Sequence, residues 1–152
     1  MPTRDLSTLP VFRYHPDPVA AESIGADPDA VCPSCEQRTG WAYPSIPYGE
    51  HEVENICPWC IADGTAADRF DCEFVADIDG DVEDSVKDEL TRRTPGFTSW
   101  QGDRWLVHCG DGAAFLGPVG WDRIGDLPDA QAAIVADGWD ADSLPDLRAD
   151  GD

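Results

Sequence analysis

The chain has 152 residues, enough for one domain with a core of its own. Its 31 acidic residues against 10 basic ones give a formal charge of −21. Such a surface repels phosphate backbones and anionic bilayers, so nucleic-acid and membrane partners are not expected. No apolar run reaches the roughly 18 residues needed to cross a bilayer, and the first residues carry no apolar signal core. The expectation is a cytoplasmic protein. The acidity reads as a solvated face or, in the sharper reading favoured by so large an imbalance, as halophilic adaptation. At molar salt the Debye length falls to about 3 Å and self-repulsion is screened.

In chain order, Leu9–Tyr14 is the only candidate strand of the Pro- and Asp-rich first 30 residues. The stretch from Trp41 to Ile56 mixes aromatic and β-branched residues around Pro47-Tyr48-Gly49 and reads as an irregular hairpin. Ile61–Phe70 is Ala-rich and predicts a first helix, weakened by Gly64. Val82, Val86 and Leu90 recur at four-residue spacing with acids early, bases late and Pro95-Gly96 as a stop, which predicts a second helix. Trp100, Trp105, Leu106 and Cys109 fit a helical face. A short helix follows around Pro128–Gly138, and the last residues, from Asp140, read as a frayed acidic tail. The expected organisation is a single domain over 1–152. It comprises an N-terminal and zinc-binding region (9–76), a helical region (77–125) and a short helix with a mobile tail (126–152).

Six cysteines in a chain of this kind point to metal ligation or working thiols rather than a disulfide frame. Cys32-x2-Cys35 and Cys57-x2-Cys60 are two matched doublets separated by 21 residues. Two residues between cysteines let one tight turn aim both sulfurs at a tetrahedral ion. The connector is long enough to bring the second pair opposite the first, which is a zinc pattern. Helix-compatible sequence after the second doublet gives the order of a treble clef. The rival reading takes Cys57-Pro58-Trp59-Cys60 as a redox dithiol at a helix start. Thioredoxin-like folds need a preceding βαβ pattern, which nothing before Cys57 supplies. The favoured assignment is a closed Zn2+ site on Cys32, Cys35, Cys57 and Cys60, structural because four protein ligands leave no position for water.

His108 and Cys109 are weak catalytic candidates. On a helix, adjacent residues point about 100° apart, and the bland reading is a buried thiol beside a half-exposed histidine. The rival function is an enzyme using this pair in a pocket lined by Trp100, Trp105 and an aromatic of the N-terminal segment. Cys72 reads as a core residue. His51 could substitute as a ligand, and His15 carries no pattern.

The segments "LPVFRYHPDPVAAESI", "VCPSC…ICPWCIADGTAADRFDCEF" and "RTPGFTSWQGDRWLVHCGDGAAFLG" together resemble the CbrC-like family, named for a colicin-tolerance association. The resemblance covers about residues 9–120. It implies that the paired cysteines form a metal site and that the Thr94–Phe97 and His108-Cys109 segments belong to a family feature, without implying an activity. Glu36 stands where relatives often carry glycine, a change that alters the turn and leaves the ligands intact. The expectation is a small, irregular α+β domain built around a treble-clef-like four-cysteine zinc site, with helices in its C-terminal half. Its expected role is an interaction or stress-tolerance module with a protein or small-molecule partner.

Overall fold

The structure, a computed structural model, describes residues 5–98 and 104–148 and is α+β. Trp100 and the 99–103 segment, assigned above to a helical face, lie outside the described residues. The chain divides into two compact units, Met1–Leu116 and Gly117–Asp152.

Among its described residues the first unit holds two small sheets and three helices. Strands β1 (Gly25–Asp27) and β2 (Gly40–Ala42) pair antiparallel with Ala26 opposite Trp41. Helices α1 (Pro58–Ala62) and α2 (Thr65–Phe70) follow. The predicted first helix is therefore two, because Gly64 adopts φ +79° and turns the chain between them. This left-handed conformation costs a residue with a Cβ about 1–2 kcal/mol. Strand β3 (Asp77–Asp79), helix α3 (Asp84–Arg92) and strand β4 (Arg104–His108) then form a parallel crossover. Strand β5 (Asp111–Gly112) returns antiparallel against β4.

Several local expectations are corrected. Trp105, Leu106 and the residues leading to Cys109 are not helical: Trp105 is buried while Leu106 is 61% exposed, the alternation of a strand. Leu9–Tyr14 joins no ladder. Phe12 packs into the core around the cysteines while Tyr14 packs into a second core with Val75, Leu90 and Trp105. The segment thus spans two cores and meets strand β5 through side chains, Arg13 and Tyr14 both bonding Asp111, rather than through a ladder. Nor does Trp41–Ile56 close into a hairpin. Trp41 and Ala42 pair with β1, the Tyr43 N–H donates to the Ile56 carbonyl at 2.8 Å, and Tyr48 bridges to Glu73. Pro44 and Pro47 remove the donors a continuous ladder would need.

The second unit contains α4 (Trp121–Ile124), α5 (Pro128–Ala136) and a 3-10 helix (Ala141–Asp146). Pro128 starts α5, where its fixed φ suits a first turn. The side chain of Gln131 donates to the carbonyls of Ile124 and Gly125, fastening α5 to α4. Of the stretch expected to fray, Ala141–Asp146 forms a 3-10 helix, and residues 149–152 lie outside the described residues. Asp140 caps it by accepting from the Asp142 N–H, and Leu144 is buried.

Candidate metal centre

The two cysteine doublets arrive by different local routes. In the first, the Glu36 N–H donates to the Cys32 carbonyl at 2.7 Å and the Cys32 N–H to the Gln37 carbonyl at 3.0 Å. These bonds fold Cys32–Cys35 into a tight knuckle, and the turn requires Glu36 to sit at φ +60°. In the second, Cys57 is the N-cap of α1 and Pro58 its first residue, so Cys60 stands one turn along the helix. The Cys57 N–H donates to Cys32 Sγ at 3.3 Å, joining one doublet to the other.

The result is one cluster. The sulfurs of Cys32, Cys35, Cys57 and Cys60 all lie within 4.8 Å of one another, and Cys35 Sγ is 3.9 Å from Cys57 Sγ. A tetrahedral ion with metal–sulfur bonds of about 2.3 Å requires sulfurs about 3.8 Å apart, so the donor set fits a thiolate-binding metal ion. The cluster sits in a core with Phe12, Ile24, Tyr43, Ile56, Trp59 and Ile61. Without a cation, Cys57 and Cys35 resist ionisation. Hydrogen bonding with Cys32 and Cys60, then burial, drives Cys57 upward, and burial raises Cys35. A metal ion reverses that balance by its own charge.

Two supports of the cluster gave no signal in the sequence. Arg69, on α2, extends its Nη1 to the Ser34 carbonyl at 2.5 Å and clasps the first knuckle. Arg93, just past α3, packs against Gly64, just past α1. Neither contact follows from spacing, because the partners are far apart in the chain.

The remaining candidates are separate. His108 ends β4 and Cys109 follows it in the tight turn to β5, with Cys109 at φ +54° and Gly110 at φ +76°. Both residues are exposed, which corrects the reading of Cys109 as a buried thiol. An apolar cleft of about 230 Å³ lies nearby, lined by Phe97, Trp105, Leu106 and Phe115 among others. His108 and Cys109 are not among its lining residues. Cys72 is buried as expected, and His51 is exposed. His15 is fully buried. Its Nε2 is 2.8 Å from Ser23 Oγ, its ring packs edge-on to Phe115 at 5.0 Å, and its Nδ1 has no hydrogen-bond partner among the described residues. Burial lowers its pKa to about 4, opposed by Asp17.

Among the described residues no helix is long and apolar enough to cross a membrane. No solved structure matches the chain. Relatives are found in bacteria. The chain is 50% identical to UPF0167 protein Mb2317 of Mycobacterium bovis and to UPF0167 protein MT2352 of Mycobacterium tuberculosis, over 97% of its length and 84% of theirs. It is 46% identical to UPF0167 protein PA1536 of Pseudomonas aeruginosa, over 78% of its length and 69% of that protein's. The family model for UPF0167 spans residues 9–147, so both cysteine doublets and the β4–β5 hairpin fall inside the match. The chain belongs to the uncharacterised protein family UPF0167.

Proposed function

We propose that the protein is a zinc-stabilised interaction or stress-tolerance module of the cytoplasm, and that its four-thiolate centre holds structure rather than performing catalysis. The observation that carries this reading is the convergence of four sulfurs to within 4.8 Å of one another. All-thiolate donor sets favour soft or borderline ions, and tetrahedral sulfur coordination suits Zn2+. In this reading Cys32, Cys35, Cys57 and Cys60 are the ligands. The bound ion would contribute folding free energy directly to a segment rich in loops and short helices. A closed set leaves no open position for a substrate or an activated water.

The partner is a protein or a small molecule. A charge of −21 argues against nucleic acid and anionic lipid. The resemblance to CbrC-like proteins supports a tolerance role. Cys109 and His108 gain no support as an enzyme's working pair from their exposed positions on a turn, apart from the aromatic cleft.

Elemental analysis of the purified chain tests the reading. One zinc per chain and protection of four thiols from a chromogenic thiol reagent are expected. A metal-free, folded protein with all six thiols titrating would overturn it.

A further inference from the structure

We propose that Cys35 is an oxidation site for hydroperoxides, and that its oxidation joins it to Cys57 in a disulfide and opens the metal centre. The inference rests on the zinc reading above and adds a modification to that site. Two observations carry it. The four cysteines are not equally accessible: Cys32 is 1% exposed and Cys57 and Cys60 are 0% exposed, while Cys35 is half-buried. Cys35 also has a buried neighbour within reach, its Sγ lying 3.9 Å from Cys57 Sγ.

A metal-held cysteine is a thiolate at neutral pH, and thiolate character together with exposure decides which sulfur a peroxide meets first. The Cys35 sulfur attacks the distal oxygen of the peroxide. A sulfur–oxygen bond forms, the oxygen–oxygen bond breaks and hydroxide leaves, so sulfur loses two electrons and the peroxide gains them. Arg69, seated on the carbonyl of Ser34, holds a positive charge against the residue that precedes Cys35. The Cys57 thiolate then attacks the Cys35 sulfur, the sulfur–oxygen bond breaks and a second hydroxide leaves. Two thiolates and one hydrogen peroxide become one disulfide and two hydroxides. Cys32 and Cys60 remain, too few to hold the ion tightly.

The test uses the full-length, zinc-loaded Cys109→Ser protein, which removes the exposed competing thiol. Hydrogen peroxide is added in steps while free zinc is read with a chromogenic chelator and the peptides are mapped. Trypsin cleaves after Arg38 and Arg69, so a Cys35–Cys57 bond links two peptides, and fragmentation of the linked pair separates it from the other bonds between the doublets, whereas a bond within either doublet stays inside one. Release of about one zinc per chain, in step with the linked peptides and reversed by thiol reductant plus zinc, is expected. Zinc retained with Cys35 unmodified, or a bond within a doublet, overturns this inference alone. Metal content measured before peroxide keeps the two readings apart: a chain purified without metal overturns the zinc reading and this inference with it.

Discussion

The Arg93 side chain lies over the side of Gly64 where a Cβ would stand. A Cβ on Gly64 would stand 3.1 Å from Arg93 Nε, and Gly64 already holds φ +79°. The glycine that separates α1 from α2 thereby seats an arginine that follows α3. Gly64→Ala is expected to destabilise the protein by about 1–2 kcal/mol from backbone strain, since the arginine can shift but the left-handed turn cannot be avoided. Urea unfolding measures it, and an unchanged midpoint would show that the turn adapts without cost.

Ligand loss should stand far apart from core-thiol loss. Cys57→Ser removes a share of a metal-binding free energy on the order of 10 kcal/mol that is coupled to folding. Cys72 is buried, with only a long 3.8 Å contact from its sulfur to the Ala66 carbonyl, so Cys72→Ser changes packing and one weak donor. Thermal melts of the two variants should differ widely, and equal destabilisation would contradict the ligand assignment.

Much of this centre was legible from spacing alone. The doublets are local, and two-residue intervals already dictate where their sulfurs point. Helix α3 was legible because its apolar repeat and its Pro-Gly stop lie within the element itself. Strand β4 was not, since Trp105 and Cys109 match a helical interval by coincidence while the true pattern alternates at Trp105 and Leu106. Its pairing with β3 is a parallel contact across α3, which no local window contains. Arg69 and His15 were missed for the same reason. The clasp on Ser34 is 35 residues away, and His15 is buried by Trp105 and Phe115.

Arg69→Gln should weaken zinc binding by about tenfold, in line with other partners that orient metal ligands from behind. Competition with a chromophoric chelator reads this, and Arg69→Lys should recover part of it by restoring a charged donor to the Ser34 carbonyl. Equal affinity in all three proteins would remove the clasp from the account of the centre.

Glu36 occupies a left-handed position, φ +60°, at the knuckle. Glu36→Gly is expected to raise stability by up to about 1 kcal/mol, the relief of strain exceeding the added freedom of the unfolded chain. A lowered melting temperature of the zinc-loaded variant would show that the Glu36 side chain matters more than its backbone.

His15 sets a pH dependence whose sign follows from its low pKa. Its folded value of about 4 lies below the ordinary 6.5, so the unfolded chain binds the proton first as pH falls. The stability it contributes is intact above pH 6.5 and declines as pH falls towards 4. Its ring protons, followed by NMR, should titrate near pH 4. A midpoint above 6 would show that the ring is solvated.

The Tyr14 hydroxyl donates to Asp111 Oδ1 at 2.6 Å across 97 residues of chain. On a ribosome the two are separated in time as well as in sequence. At synthesis rates of about 5–20 residues per second, Tyr14 waits on the order of ten seconds for its partner, while all four clustered cysteines have already been made. A nascent chain can therefore take up its metal while the core around Trp105 is still missing its last strands. Newly made protein would pass through a stage in which the thiol cluster is assembled around Phe12 while Tyr14 is still open to chaperones.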